Sequence, residues 1–401
     1  MSSVSPVRAP INPAVLTWAI DSAGFDREDV ARSAGVDARK LASWEQGSER
    51  PTLNQLRDLA NKVKRPYPIF FLKAPPSGNE SLPDLRTRGS LTGEYSPPLR
   101  LEIRRAKYYQ TLVADHKPPL LEPVQAPSAR IEDSPRDVAA GIRAWLGVDL
   151  ETQRQFRSDD RGFAQWRGIF LERGVLSYVF RLEALEEGET SEALGFCLPA
   201  EIAPMVAVNG DGAPAEKVFG LFHELGHLVL GAPGVSASPS PNAAFPSPTE
   251  QWCNRFANRC LLPDDPGLEE IVAQLPTDAK AFDAYQKAAT KLRVSRYVLL
   301  TRARDEGWIP ATVFDSLRTV FVTADEERRE EDRRKKIEKR ERDKAAGKKG
   351  GAQSPVELSL SRRGAAAAAK IAQRWSEGRL SDDEAAELLD IDPSQLDAIL
   401  Q

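Results

Sequence analysis

The stretch His223-Glu224-Leu225-Gly226-His227 has the residue types and spacing to do chemistry. Histidines four apart lie on one face of a helix, so their imidazole nitrogens can converge on one zinc ion. The intervening Glu224 then lies close enough to take a proton from a bound water and return it to a leaving amine. The chain has only three histidines, and two of them are here. The third, His116, falls in a proline-rich connector. The flanks Phe219 to Phe222 and Leu228 to Leu230 are uncharged, as a buried helix requires.

A catalytic zinc needs a third protein ligand and an open position for water. A metzincin would place glycine and histidine where this chain has Leu230 and Pro233, so that class is excluded. Glu250, at the start of the next helix, is the leading candidate for the third ligand. Asp264 and Asp265, after Pro263, are the alternatives.

The elements that must position these residues follow from pattern. Three apolar runs, GVLSYVF, ALGFCLP and PMVAVN, read as strands of a small sheet that precedes the helix AEKVFGLFHELGHLVLG. Gly231 ends that helix, a serine- and proline-rich loop runs to Pro248, and EQWCNRFANRCLL forms the facing helix. Upstream lie helices over Val138–Leu146 and around Phe163–Arg173. The fold class is α+β and mostly helical: an N-terminal helical bundle, a small zincin-like domain with a short sheet, and a helical tail.

Residues 11–74 read as a helix-turn-helix domain, with apolar positions at Val15, Leu16, Ala19, Ile20, Val30, Ala31, Ala34, Leu41, Trp44, Leu53, Leu56, Leu59, Ala60 and Val63. Asp37 is placed to cap its second helix and Gly47 to stop it. Arg39, Lys40 and Ser43 point away from Val36, Leu41 and Trp44, which makes them the candidate contacts to double-stranded DNA. Asp37, Glu45 and Glu49 dilute that positive charge.

Residues 75–130 form a linker with a connecting helix around Leu101–Leu112, 131–320 the peptidase-like domain, 321–355 a charged helical or disordered tether, and 356–401 a small helical module with caps at Ser381 and Asp392. The net charge of −4 over 401 residues excludes a polybasic nucleic-acid coat, so any DNA binding must be local. Three cysteines without a C-x-x-C pair argue for buried thiols in a reducing compartment. The sequence holds neither a signal peptide nor a membrane-length apolar run, and a cytoplasmic location without membrane partners is expected.

VAVNGDGAPAEKVFGLFHELGHLVLG followed by EQWCNRFANRCLLP resembles the ImmA/IrrE family of metallopeptidases. VARSAGVDARKLASWEQGSERPTLNQLRDLA resembles the Xre (Cro/cI-like) helix-turn-helix family, and SLPDLRTRG looks like the segment that joins the two. Together the resemblance spans about residues 11 to 315. It implies a gluzincin-like zinc site with Glu250 as third ligand and Glu224 as base. The implied substrate is a protein such as a DNA-bound repressor, destroyed in response to stress or mobile-element induction. The alternative it implies is an antitoxin or regulator of a toxin-antitoxin pair, with the peptidase fold serving to bind a toxin partner.

Overall fold

The computed structural model describes residues 7–76, 95–157, 159–182, 193–232, 235–237, 247–278, 280–345 and 353–399. They fall into two compact units. One comprises residues 1–109 with 181–193 and 237–243; the other comprises 110–180, 194–236 and 244–401. The joining segment SLPDLRTRG and most of the serine- and proline-rich loop lie outside the described residues.

In the first unit, α1 (Pro13–Ala23) starts where the Asn12 side chain accepts from the Ala14 amide and stops at Gly24, which takes a left-handed φ of 74°. A short turn follows to α2 (Arg27–Ser33), and residues 34–37 turn the chain into α3 (Ala38–Glu45). Asp37 caps α3 by accepting from the Lys40 amide at 2.8 Å, and Gly47 supplies the left-handed exit at φ 73°. α4 (Leu53–Lys62) opens on a reciprocal box in which Thr52 and Gln55 satisfy each other's backbone amides. A 3-10 turn at Tyr67–Phe71 folds back on α1. Val15, Leu16, Ile20, Val30, Leu41, Trp44, Leu56 and Leu59 fill one core. Leu53 departs from the expected apolar set: it occupies the first position of α4, ahead of the stripe formed by Leu56, Leu59 and Ala60, and is 37% exposed. α5 (Pro97–Asp115) buries Leu99, Ile103, Ala106, Tyr109 and Val113, and the division between the units passes through it.

The second unit begins with α6 (Pro135–Leu146), capped by Ser134 and closed by Gly147. α7 (Leu150–Arg154) and α8 (Asp160–Glu172) lead through Gly174 into β1 (Leu176–Phe180). β2 (Ala193–Leu198), β3 (Met205–Asn209) and β4 (Val235–Ala237) complete a four-stranded sheet in the order β1-β3-β2-β4. β1 runs parallel to β3, with Leu176 beside Met205, and β2 runs antiparallel to it, with Gly195 beside Val208. Every residue of β1 and β3 is buried, which explains why those runs are apolar throughout instead of alternating. β4 was not anticipated: three residues, Val-Ser-Ala, in a serine-rich context carry no strand signal, and the sheet edge at β2 supplies the pairing.

α9 (Pro214–Val229) lies across β3, and α10 (Pro248–Leu261) packs on α9 and α6. The approach of α9 to α10 is close at Gly226, where a Cβ would stand 3.0 Å from the Phe256 ring and 3.2 Å from Cys253 Sγ. α11 (Gly267–Ala273), α12 (Ala281–Leu292) and α13 (Arg296–Asp305) extend the core, together with the start of α14 (Ala311–Ala345), where Phe314, Leu317 and Phe321 are buried. The charged run expected as a helix or tether continues α14 and is helical to Ala345, with pairs such as Glu331 and Lys335 one turn apart.

The C-terminal helices α15 (Pro355–Arg363), α16 (Ala365–Ser376) and α17 (Asp382–Leu389) end in a 3-10 segment, Pro393–Ile399. α15 packs beside β1 and α16 against α8. The buried Arg167 of α8 joins them, donating to the Ser177 hydroxyl and carbonyl and to the carbonyls of Ser361 and Arg362. All three cysteines are buried and outside any disulfide among the described residues. Among the described residues, no helix is long and apolar enough to cross a membrane.

Candidate metal centre

One turn of α9 separates His223 from His227 and brings their Nε2 atoms to 3.3 Å. From α10, Glu250 Oε2 lies 3.2 Å from His223 Nε2, and Oε1 lies 3.3 Å from His227 Nε2. Both histidines are almost fully buried, and the Glu250 side chain is 21% exposed.

The position of Glu250 is informative because its local sequence offers another use for it. Ser247-Pro-Thr-Glu250 is a capping-box pattern, in which the serine takes the N3 amide and the glutamate reaches back to the serine amide. The first half is present: Ser247 Oγ accepts from the Glu250 amide at 3.2 Å. The carboxylate instead faces the two imidazoles.

The outward nitrogens of both imidazoles are also held. His223 Nδ1 lies 3.0 Å from Asn254 Oδ1, and His227 Nδ1 donates to the Ala232 carbonyl at 3.0 Å. These oxygens favour a proton on each Nδ1, so that with a metal bound both Nε2 atoms would be available to ligate it, the arrangement that metal-binding histidines need. Ligands at about 2.05 Å from a tetrahedral zinc stand roughly 3.3 Å apart. The observed separations of 3.2 to 3.3 Å match that set. His223, His227 and Glu250 together form a group that could hold a metal ion.

Electrostatics point the same way. Burial pushes the Glu250 carboxyl up, but hydrogen bonds from His223 and His227 outweigh it and bring its pKa down to about 2. Burial likewise disfavours charge on His227, but the neighbouring Cys253 thiol and Glu250 carboxylate raise its pKa to about 11. The pocket thus stabilises a positive charge at His227, a place that a divalent cation can take from the proton.

Glu224 is 1% exposed, and burial raises its pKa. Its Oε1 accepts from Ser236 Oγ of β4 at 2.6 Å, while its buried Oε2 has no hydrogen-bond partner among the described residues. The carboxylate lies against Gly195 of β2, where a Cβ would stand 2.5 Å from Oε1.

The alternative ligands lie elsewhere. Asp264 is surrounded by arginines, receiving Arg136 Nε at 2.6 Å, Arg302 Nη2 at 2.5 Å and Arg259 Nη1 at 3.2 Å. Asp265 accepts from the Gly267 amide, and His116 Nδ1 pairs with the Pro118 carbonyl. Arg39, Lys40 and Ser43 border a shallow hollow on α3 with Val36, Asp37 and Glu49. Lys40 is ion-paired with Glu49, and Ser43 Oγ donates to the Lys40 carbonyl.

Sequence reasoning missed Asn254, Ser236, Gly195 and the Ala232 carbonyl. Asn254 had a usable signal, since it lies four residues after Glu250 on the same helix face. The others had none, because β2, β4 and the turn after α9 reach the site through tertiary pairing.

Comparison with known families places the centre in context. A sequence model of the IrrE N-terminal-like domain, peptidase family M78, matches residues 184–304. That stretch contains both histidines, Glu224 and Glu250, and it is similar to a metallopeptidase-like family. The N-terminal region that resembles the Xre family lies outside the match. No curated protein and no solved structure matches the chain.

Proposed function

We propose that the second unit is a zinc-dependent endopeptidase and that the chain is a regulator that cleaves a specific protein, such as a DNA-bound repressor, in response to stress or mobile-element induction. The observation that carries this reading is the convergence of His223, His227 and Glu250 at tetrahedral ligand spacing, with Glu224 beside them and Glu250 drawn from its capping role.

His223, His227 and Glu250 would hold the zinc, and Asn254 and the Ala232 carbonyl orient the two rings. Zinc, when bound, polarises the peptide carbonyl and lowers the pKa of water. Glu224 takes the proton from the attacking water on Oε2 and passes it to the leaving amine. Burial, which raises its pKa, suits a group that must hold that proton between the two steps.

The first unit supplies DNA binding in this reading. α2 and α3 act as a helix-turn-helix that presents Arg39, Lys40 and Ser43 to the duplex, and the Lys40–Glu49 pair must open as phosphate replaces the carboxylate.

The test is metal content, compared among wild type, His223→Ala and Glu250→Ala, followed by proteomic cleavage mapping against Glu224→Gln. One zinc per wild-type chain, lost in both ligand variants, with cleavage products absent from Glu224→Gln, is the expected result. A wild-type protein that binds no zinc even when it is supplied overturns the peptidase reading. Zinc binding and DNA or partner binding that survive Glu224→Gln, with no cleavage by wild type, transfers the assignment to the antitoxin alternative.

A further inference from the structure

Glu224 is held from two sides by elements that the metal ligands do not use. Ser236, on the edge strand β4, is 5% exposed and donates to Oε1 at 2.6 Å. Gly195, on β2, leaves the space in which the carboxylate lies, since a Cβ there would stand 2.5 Å from Oε1 and 2.9 Å from Cδ.

A glutamate side chain has several rotatable bonds, and its two oxygens are chemically equivalent. A hydrogen bond to one of them fixes the carboxylate plane and makes the oxygens different. Here Oε1 is engaged, and Oε2 is buried without a partner among the described residues. An acceptor left unsatisfied in a buried site costs free energy, so its retention asks for an explanation. Receiving a proton supplies one.

We propose that Ser236 is a positioning residue for Glu224: its hydroxyl engages Oε1, Gly195 leaves room for the carboxylate, and Oε2 is thereby the oxygen presented to the water proton. This rests on the reading of Glu224 as the base. It adds a residue from outside α9 and α10 to the machinery, on a strand that contributes no metal ligand.

The experiment uses the full zinc-loaded chain and acetohydroxamic acid as probe, a ligand that releases a proton on binding metal and needs a neighbouring base to accept it. Calorimetry on wild type, Ser236→Ala, Ser236→Thr, Gly195→Ala and Glu224→Gln gives the affinities, with zinc content measured alongside. Loss of a hydrogen bond to a charged group predicts that Ser236→Ala binds the probe about 10- to 100-fold more weakly with full zinc occupancy. Ser236→Thr, which keeps the hydroxyl, recovers most of the affinity, and Gly195→Ala, whose Cβ would also meet the Ala207 carbonyl oxygen at 2.8 Å, loses at least as much as Ser236→Ala. In a Glu224→Gln background, Ser236→Ala has no further effect, the signature of a residue acting through another. With a cleaved peptide in hand, the same loss falls on kcat and leaves KM unchanged.

Ser236→Ala that binds the probe as tightly as wild type, or more tightly, overturns the proposal and marks the contact as a lock on the resting site. An equal loss in both backgrounds also overturns it. Failure of the underlying reading looks different: wild type without zinc, or Glu224→Gln with wild-type probe affinity, removes the base and this proposal with it.

Discussion

Charged side chains gather at two places in this molecule under opposite conditions. Around α9 and α10, His223, His227, Glu224 and Glu250 are buried or nearly so, and a carboxylate oxygen of Glu224 has no hydrogen-bond partner among the described residues. Around α3 the charges, Glu45 apart, are largely exposed and neutralise one another: Lys40 pairs with Glu49, and Arg27 with Asp21 and Glu45. Exposed pairs are worth at most about 1 kcal/mol and form wherever opposite charges meet. Buried charge is expensive, so a fold that converges four such groups must recover the cost through ligation or hydrogen bonding. Position among solvent, more than residue type, separates the strong site inference from the weak one.

The sharpest way to break this comparison is to separate ligation from catalysis at the first site. Glu224→Gln is expected to keep one zinc per chain and lose on the order of 100- to 10,000-fold in kcat, measured with a peptide cut by wild type. His223→Ala is expected to lose both. If Glu224→Gln also releases the metal, the division of labour within the cluster is wrong.

Asn254→Ala tests the outward support of His223. Its loss leaves Nδ1 without its present partner, and zinc affinity is expected to fall about 10- to 100-fold in a competition titration with a chromogenic chelator. Unchanged affinity would show that packing alone orients the ring.

At α3 the expected effects are smaller and salt-dependent. Arg39→Ala should weaken binding to all duplex sequences and reduce the slope of log affinity against log salt by about 1, read by fluorescence anisotropy, if the arginine contacts phosphate. A loss confined to one base position would make Arg39 a base reader. Salt-independent binding would reassign the hollow to protein contact.

The smallest effect concerns Asp264. Burial raises its pKa, but hydrogen bonds from Arg302 and Arg136 outweigh this and leave it below the ordinary aspartate value. A lowered carboxyl pKa stabilises the fold above the unfolded value, near 4, and that contribution disappears as pH falls through the folded value. Wild type should therefore exceed Asp264→Asn in unfolding free energy by on the order of 1 kcal/mol at neutral pH, given its exposure, with the gap closing below about pH 4. A gap constant with pH would place the effect in packing.

Much of the site was legible because its parts are local. His223, Glu224 and His227 share five residues of one helix, and helical periodicity alone predicts that the histidines share a face. Glu250 could be proposed because the loop returns the chain to a second helix. Ser236 and Gly195 could not, because whether they approach Glu224 depends on β4 pairing beside β2, and nothing in Val-Ser-Ala marks a strand. The three longer strands were readable as continuous apolar runs, but their order, with β3 between β1 and β2, was not. Leu53 shows the same limit at a single residue: an apolar type cannot reveal that the first position of a helix faces water.

The attachment of the C-terminal helices also bears on how this chain acquires its shape during synthesis. Arg167 donates to carbonyls 194 and 195 residues further along the chain, and α15 packs against β1, an edge strand of the sheet. Contacts so distant in sequence are slow to form, and an uncovered strand edge is a place where chains stick together. The nascent chain therefore carries β1 without its cover until α15 emerges, well after the sheet itself has been made. A protein arrested before residue 361 would present a buried guanidinium without two of its acceptors and an open strand edge, the marks by which quality-control machinery recognises an unfinished product.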